Sequence, residues 1–221
     1  MTLSACAASN AGGGGGTTSE PPATPPDSPR AALEVLIAGN KRLVRDGMTQ
    51  PHTLTDIRTH VNGQRPFAHV VGCADSRVPP EAIFDQSFSD LFVTRTAGNV
   101  LCGAVTGTIE FGVSALGVSL ILVLGHSSCG AVKAAVDVAT GKSSAPGGEL
   151  GLLVADIEPA ARRAIAEGGT DVYADALKLH LRHVADAITG NPVVAAAIAA
   201  GRAEVRTAWY DLATAEVKLY E

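Results

Sequence analysis

Cys73-Ala74-Asp75-Ser76-Arg77 and His126-Ser127-Ser128-Cys129 are the two stretches of this chain whose residue types can do chemistry together. Cys73, Cys129 and His126 offer two thiolates and one imidazole, a ligand set that suits zinc. Structural zinc sites are closed by four protein ligands, whereas catalytic ones keep three and leave the fourth position to water or substrate. Three candidates therefore point to an open metal. Such an ion lowers the pKa of bound water from about 15.7 toward about 7, although two thiolates donate more charge than imidazoles and leave the metal a weaker acid. Asp75, two residues from Cys73, is placed to accept a hydrogen bond from the nucleophile, and Arg77 offers a planar, always-charged fork to hold that carboxylate. Two other readings of the pair stand beside this one. It is an ion pair that merely closes a strand-to-helix turn, or Asp75 itself becomes the fourth metal ligand and releases Arg77.

The elements that deliver these residues are marked by hydrophobic pattern. Residues 67–72 (FAHVVG) and 119–125 (SLILVLG) are apolar, β-branched runs bounded by glycine and small polar residues, as buried parallel strands read. Each ligand segment then sits at a strand's C-terminal end, where open α/β sheets place their ligand crevice. With the two strands as neighbours, Cys73 and His126 arrive side by side, and Cys129 is expected in the first turn of the next helix, His-x-x-Cys sharing one face. Upstream, Leu33, Leu36, Ile37, Leu43 and Val44 recur near a 3.6-residue period, predicting an amphipathic helix over 30–46 that Gly47 ends. A long loop leads from there to Pro66. Pro79 and Pro80 start a short helix at 81–85, Leu91 to Thr94 make a second strand, and 103–116 form a buried crossover helix on Thr106, Ile109 and Val113. Ala-rich helices fill 150–200, interrupted at Gly190-Asn191-Pro192. Residues 205–210 and 217–220 alternate and close as an edge hairpin holding Trp209.

The segments C-x-D-x-R and H-x-x-C-G, the latter completed by Gly130, together with residues 92–99 (FVTRTAGN) and 107–111 (GTIEF), resemble the beta-class carbonic anhydrases across roughly residues 30–221. The resemblance implies an α/β fold: a mostly parallel central sheet with flanking helices, an N-terminal arm helix that reaches across a partner subunit, and a C-terminal edge hairpin. It implies one Zn2+ per chain on Cys73, His126 and Cys129, and reversible hydration of carbon dioxide to bicarbonate and a proton by hydroxide made at the metal. Asp75 and Arg77 are then the catalytic pair, and the state with Asp75 on the metal is an inactive form. Motif alignment gives Gln64 as an amide donor to substrate, with Phe92, Ala97 and Phe111 in the pocket wall; the plainer roles are loop amide and core aromatics. In relatives, the residues matching Gln64 and Phe92 complete the neighbouring subunit's pocket, so the resemblance implies a homodimer and, beyond it, a tetramer. A second, inhibitory bicarbonate site in some members uses a tryptophan, an arginine and a tyrosine. Val70, Arg95 and Tyr210 stand there, and the missing tryptophan implies the non-allosteric type. Two alternatives use the same ligands: a hydrolase of COS or CS2, and a non-catalytic zinc- or bicarbonate-binding protein.

Composition narrows the field. A net charge of −5 across 221 residues gives nucleic-acid binding no footprint, and no apolar run reaches the ~18 residues of a transmembrane helix. Residues 1–29, rich in glycine, proline and threonine, are expected to be a disordered tail or tether, ahead of a catalytic domain over 30–221. Leu3-Ser4-Ala5-Cys6 matches a lipoprotein lipobox, but only five residues precede Cys6, too few for a signal peptide. A cytoplasmic enzyme is favoured, with a lipoprotein anchored at Cys6 the alternative if translation starts upstream. Two zinc ligands among four cysteines leave Cys6 and Cys102 and no disulfide framework. His180 and His183 read as a solvated pair rather than a metal grip. His52, His60 and His69 are candidate proton relays.

Overall fold

A computed structural model describes residues 26–50 and 52–220, so the Cys6 lipobox and most of the 1–29 tail lie outside the described residues. The chain runs α1 (Pro29–Val44), α2 (Leu54–Thr59), β1 (Ala68–Cys73), α3 (Pro80–Ile83), β2 (Leu91–Thr96), α4 (Gly103–Ser114), β3 (Leu120–His126), α5 (Gly130–Ala139), α6 (Gly148–Glu167), α7 (Val172–Gly190), α8 (Pro192–Ala199), β4 (Glu204–Tyr210) and β5 (Val217–Tyr220). The strands form one sheet in the order β2-β1-β3-β4-β5, parallel through β4 and finished by antiparallel β5. This is the expected α/β architecture with its edge hairpin. Every residue of β1 and β3 is buried. Helices on both faces leave no solvent side, which is why these strands read as unbroken apolar runs rather than alternating ones. Chain order reverses between β1 and β3, the point where such sheets open a crevice at their C-terminal ends. Among the described residues no helix is long and apolar enough to cross a membrane.

Local signals set the helix ends. The Ser28 hydroxyl accepts from the Ala31 amide and Pro29 takes the first helical position, which starts α1. Its stop differs from the expected one: Asp46 adopts the left-handed conformation (φ 54°), while the Gly47 amide bonds back to the Arg42 carbonyl. The loop expected before Pro66 contains α2, which Thr53 and Asp56 nucleate as a capping box.

Helix α1 docks on its own chain. Asn40 is buried, donates to the Ile83 carbonyl at 3.2 Å and the Ala215 carbonyl at 2.8 Å, and accepts from the Val217 amide at 2.8 Å. One side chain thus joins α1 to α3 and to the last hairpin. The contact is close because residue 39 is glycine: a Cβ there would lie 1.7 Å from the Phe84 carbonyl oxygen. Alanine in place of a helical glycine normally gains roughly 1 kcal/mol, but here it meets backbone that cannot swing aside. Gly39→Ala is expected to destabilise the fold by about 2–3 kcal/mol, read as a lower urea midpoint. Gly47→Ala, whose nearest contact is 3.8 Å away, should stay within about 0.5 kcal/mol of wild type.

His69, the second residue of β1, is fully buried, with Nε2 2.8 Å from the Thr94 hydroxyl and the ring edge-on to Phe92 at 5.0 Å. Burial pushes its pKa from 6.5 down to about 4. The unfolded chain therefore takes up this proton at a higher pH than the native one. Stability is full above about pH 6.5 and drains away as pH falls toward about 4, by up to about 3 kcal/mol. His69→Gln keeps a polar end toward Thr94 and cannot titrate, so it should flatten the acid limb of the urea midpoint against pH. An acid limb identical to wild type would refute this account.

Candidate metal centre

Cys73 is the last residue of β1 and His126 the last of β3, and because these strands are parallel neighbours, with Gly72 opposite Leu124, both residues leave the sheet at one corner. Cys129 joins them through a turn and not along a helix face as the spacing suggested. Ser128 takes a φ of 57° and Cys129 is the N-cap of α5. The three residues are buried and their ligand atoms lie within 4.8 Å of one another. The sulfurs are 4.0 Å apart, against about 3.8 Å for two sulfurs held at about 2.3 Å by a tetrahedral zinc. His126 Nδ1 lies 2.9 Å from the Ser127 carbonyl oxygen, which can only accept, so Nδ1 carries the proton and Nε2 presents a lone pair. That Nε2 is buried with no hydrogen-bond partner. An orphaned imidazole nitrogen facing two sulfurs at this spacing fits zinc. A hydrogen bond from the Cys129 thiol draws the Cys73 thiol pKa down, helped by the Gly98 amide 3.4 Å from the sulfur. Cys129, as donor to Cys73 and through burial, is pushed up.

Asp75 is gripped by Arg77 through two parallel bonds: Nε donates to Oδ1 at 2.9 Å and a terminal nitrogen donates to Oδ2 at 2.7 Å. The Arg77 backbone amide adds a third at 3.0 Å. This grip holds the carboxyl well below the usual carboxylate range. The same Oδ2 stands 3.9 Å from His126 Nε2, so a fixed negative charge borders the ligand cluster. Arg77 also donates to the Ser128 carbonyl at 3.3 Å, tying the two loops together. From β2, Arg95 donates to the Cys73 carbonyl at 2.8 Å and to the Asp75 carbonyl, clamping the loop from behind.

Of the other pocket candidates, the structure brings only Ala97 to this corner, where it follows Thr96, the register partner of Cys73. Phe92 pairs with His69, four residues down the strands and roughly 13 Å away. Phe111 packs 6.0 Å from it and is 49% exposed. Gln64 is exposed in the loop entering the far end of β1. These three do not reach their own chain's cluster. The pattern also concealed several positioning groups. Asn99 (φ 61°) donates to the Val71 and Leu124 carbonyls at 3.0 and 2.9 Å, and the Tyr173 hydroxyl accepts from the Cys129 amide. His180, expected on a solvated face, is buried, while His183 is exposed. Asn99 lay inside a family-like segment, but nothing in the spacing linked α7 to the metal loops.

The family model described as "Carbonic anhydrase" matches residues 68–217. The chain belongs to the beta-class carbonic anhydrase family. It is 37% identical over 200 residues to the carbonic anhydrase of Mycolicibacterium smegmatis, covering 88% of this chain and 95% of that one. With carbonic anhydrase 2 of Mycobacterium tuberculosis it shares 46% identity over 136 residues, 61% of this chain and 65% of that protein. The chain thus spans a little under two thirds of that relative's length. Among solved structures, the Coccomyxa beta-carbonic anhydrase in complex with acetazolamide superposes with a TM-score of 0.67 at 27% identity, over 75% of this chain and 76% of that one. The tetrameric beta-carbonic anhydrases of Sordaria macrospora share the fold at a TM-score of 0.67 and 24% identity, over 86% of this chain and 96% of theirs.

Beta-class membership makes the cluster directly testable by thiol protection. One equivalent of zinc added to the reduced protein is expected to shield Cys73 and Cys129 from alkylation while exposed Cys102 still reacts, as followed by peptide mass spectrometry. A chelator should reverse the shielding. Cys73→Ser should lose at least about tenfold in zinc affinity.

Proposed function

We propose that the protein is a zinc-dependent carbonic anhydrase that interconverts carbon dioxide and bicarbonate, with Cys73, His126 and Cys129 as metal ligands and Asp75 and Arg77 as the catalytic pair. The observation that carries this reading is the bidentate Asp75–Arg77 grip, 2.9 and 2.7 Å, beside the buried Cys–His–Cys cluster. When bound, zinc supplies the Lewis acidity that makes water a nucleophile near neutral pH. Asp75 stays ionised because Arg77 compensates its charge. It therefore acts only as an acceptor, turning the attacking O–H so that a lone pair faces the carbon of CO2. By donating to both oxygens, Arg77 would oppose the carboxylate serving as a fourth ligand.

Of the candidate proton relays His52, His60 and His69, the structure argues against the last. His69 is unsuited to relay because it is sealed in the core and charges only near pH 4. The non-allosteric reading is supported by three neighbours: Val70 is fully buried and offers no side-chain donor, Arg95 is spent on the Cys73 and Asp75 carbonyls, and Tyr210 is buried. A homodimer is part of the proposal. Gln64, Phe92 and Phe111 lie away from their own cluster, and apolar Leu54 and Ile57 on α2 and Val61 just after it are exposed, which suits completion of the pocket by a second copy.

Stopped-flow CO2 hydration tests the whole reading. Activity should vanish with chelation and return with zinc, while Asp75→Asn should lower kcat/KM by roughly 10²-fold or more with zinc content unchanged. Activity that survived zinc removal would sink the assignment, as would turnover of COS or CS2 without CO2 hydration.

A further inference from the structure

Helix α7 turns one face toward both metal loops. Its buried positions Ala176, Leu177, His180, Leu181 and Val184 form a helical stripe, and Tyr173 begins the same stripe two turns before His180. Tyr173 receives the Cys129 amide directly. His180 reaches the other sulfur through one intervening residue. Its Nε2 lies 2.7 Å from the Gly98 carbonyl oxygen, which can only accept, so Nε2 carries the proton and donates. Gly98 in turn donates its amide to the Cys73 sulfur at 3.4 Å.

That amide can point at sulfur only because of an unusual turn. Gly98 and Asn99 are consecutive left-handed residues, with φ of 64° and 61°. A Cβ at position 98 would lie 2.7 Å from Ile157 Cδ1 and 2.9 Å from the Ala131 Cβ. Asn99 fixes one side of the turn to the strand ends. The Gly98 carbonyl is fixed by His180 alone among the hydrogen bonds described. His180 is 1% exposed and its Nδ1 has no partner. A buried histidine retained with half its polar capacity unmet costs stability, which is the mark of a side chain kept for its one bond.

We propose that His180 and Tyr173 are positioning residues for the two thiolates, His180 holding the Gly98 turn so that its amide stays on Cys73 and Tyr173 holding the Cys129 amide. The proposal deepens the zinc-enzyme reading and rests on it. Held in place by that N–H, the Cys73 sulfur is preorganised for the ion, which favours binding, while the same bond withdraws charge from it. This makes Cys73 a weaker donor and leaves the metal more acidic, offsetting the penalty of a ligand set with two sulfurs.

The test uses the full chain loaded with cadmium-113, which reports the amide-to-sulfur bond without any activity. Wild type should show scalar coupling between the Gly98 amide proton and cadmium through the Cys73 sulfur. His180→Leu, which keeps bulk and removes the donor, should lose that coupling and about 10- to 100-fold in zinc affinity. His180→Gln, which restores a donor, should recover both. Should His180→Leu fail to fold, Tyr173→Phe tests the other arm: it should weaken zinc binding while the Gly98 coupling persists. No coupling in wild type, or wild-type zinc affinity in His180→Leu or in Tyr173→Phe, overturns the proposal. Failure of the carbonic anhydrase reading would instead appear as intact coupling and metal affinity without CO2 hydration.

Discussion

Two sulfurs held 4.0 Å apart in a buried corner cannot both carry negative charge without a cation between them. At the effective dielectric of a protein site, like charges at that distance repel by about 4 kcal/mol. A divalent ion turns the repulsion into attraction, and the rest of the corner is arranged around that need. The Gly98 amide donates to one sulfur, the His126 lone pair is aimed at the same point by the Ser127 carbonyl, and the carboxylate of Asp75 is kept from adding a further uncompensated charge by the guanidinium of Arg77. The strands serve the same end. As parallel neighbours that stop together, β1 and β3 deliver a cysteine and a histidine to one place from residues far apart in sequence.

The legible part of this molecule was the part written in short-range chemistry. The ligand types, the D-x-R pair and the two apolar runs each have a local signature, and taking the runs as neighbouring parallel strands, as they are, brings the two ligand segments to one end of the sheet. What escaped was written in single residues without a period. The turn that brings Cys129 inward depends on Ser128 at a φ of 57°, a conformation that serine does not advertise. The short helix α2 depends on a threonine–aspartate capping pair in a segment with little apolar pattern. His180 looked like a surface residue because His183 follows at helical spacing, yet rotation about α7 puts one of them in the core and the other in water.

Arginine is used here for geometry as much as for charge. Arg77 spans from the Asp75 carboxylate to the Ser128 carbonyl, and Arg95 reaches from the edge strand to the backbone of Cys73 and Asp75. Both stiffen a loop from outside the ligand set, so the loop needs no regular hydrogen-bond ladder of its own. A planar fork with five donors can grip a whole carboxylate through two parallel bonds, a geometry that lysine's point-like ammonium does not offer.

Asn40 has a consequence for how the chain is made. Its partners include Ala215 and Val217, at the other end of the sequence. During synthesis the ligand residues and the strands that carry them leave the ribosome long before those partners exist. The nascent chain can therefore gather its sulfurs early, while the first helix waits, two of the three Asn40 bonds still unmade, for the final hairpin to emerge and latch the molecule shut.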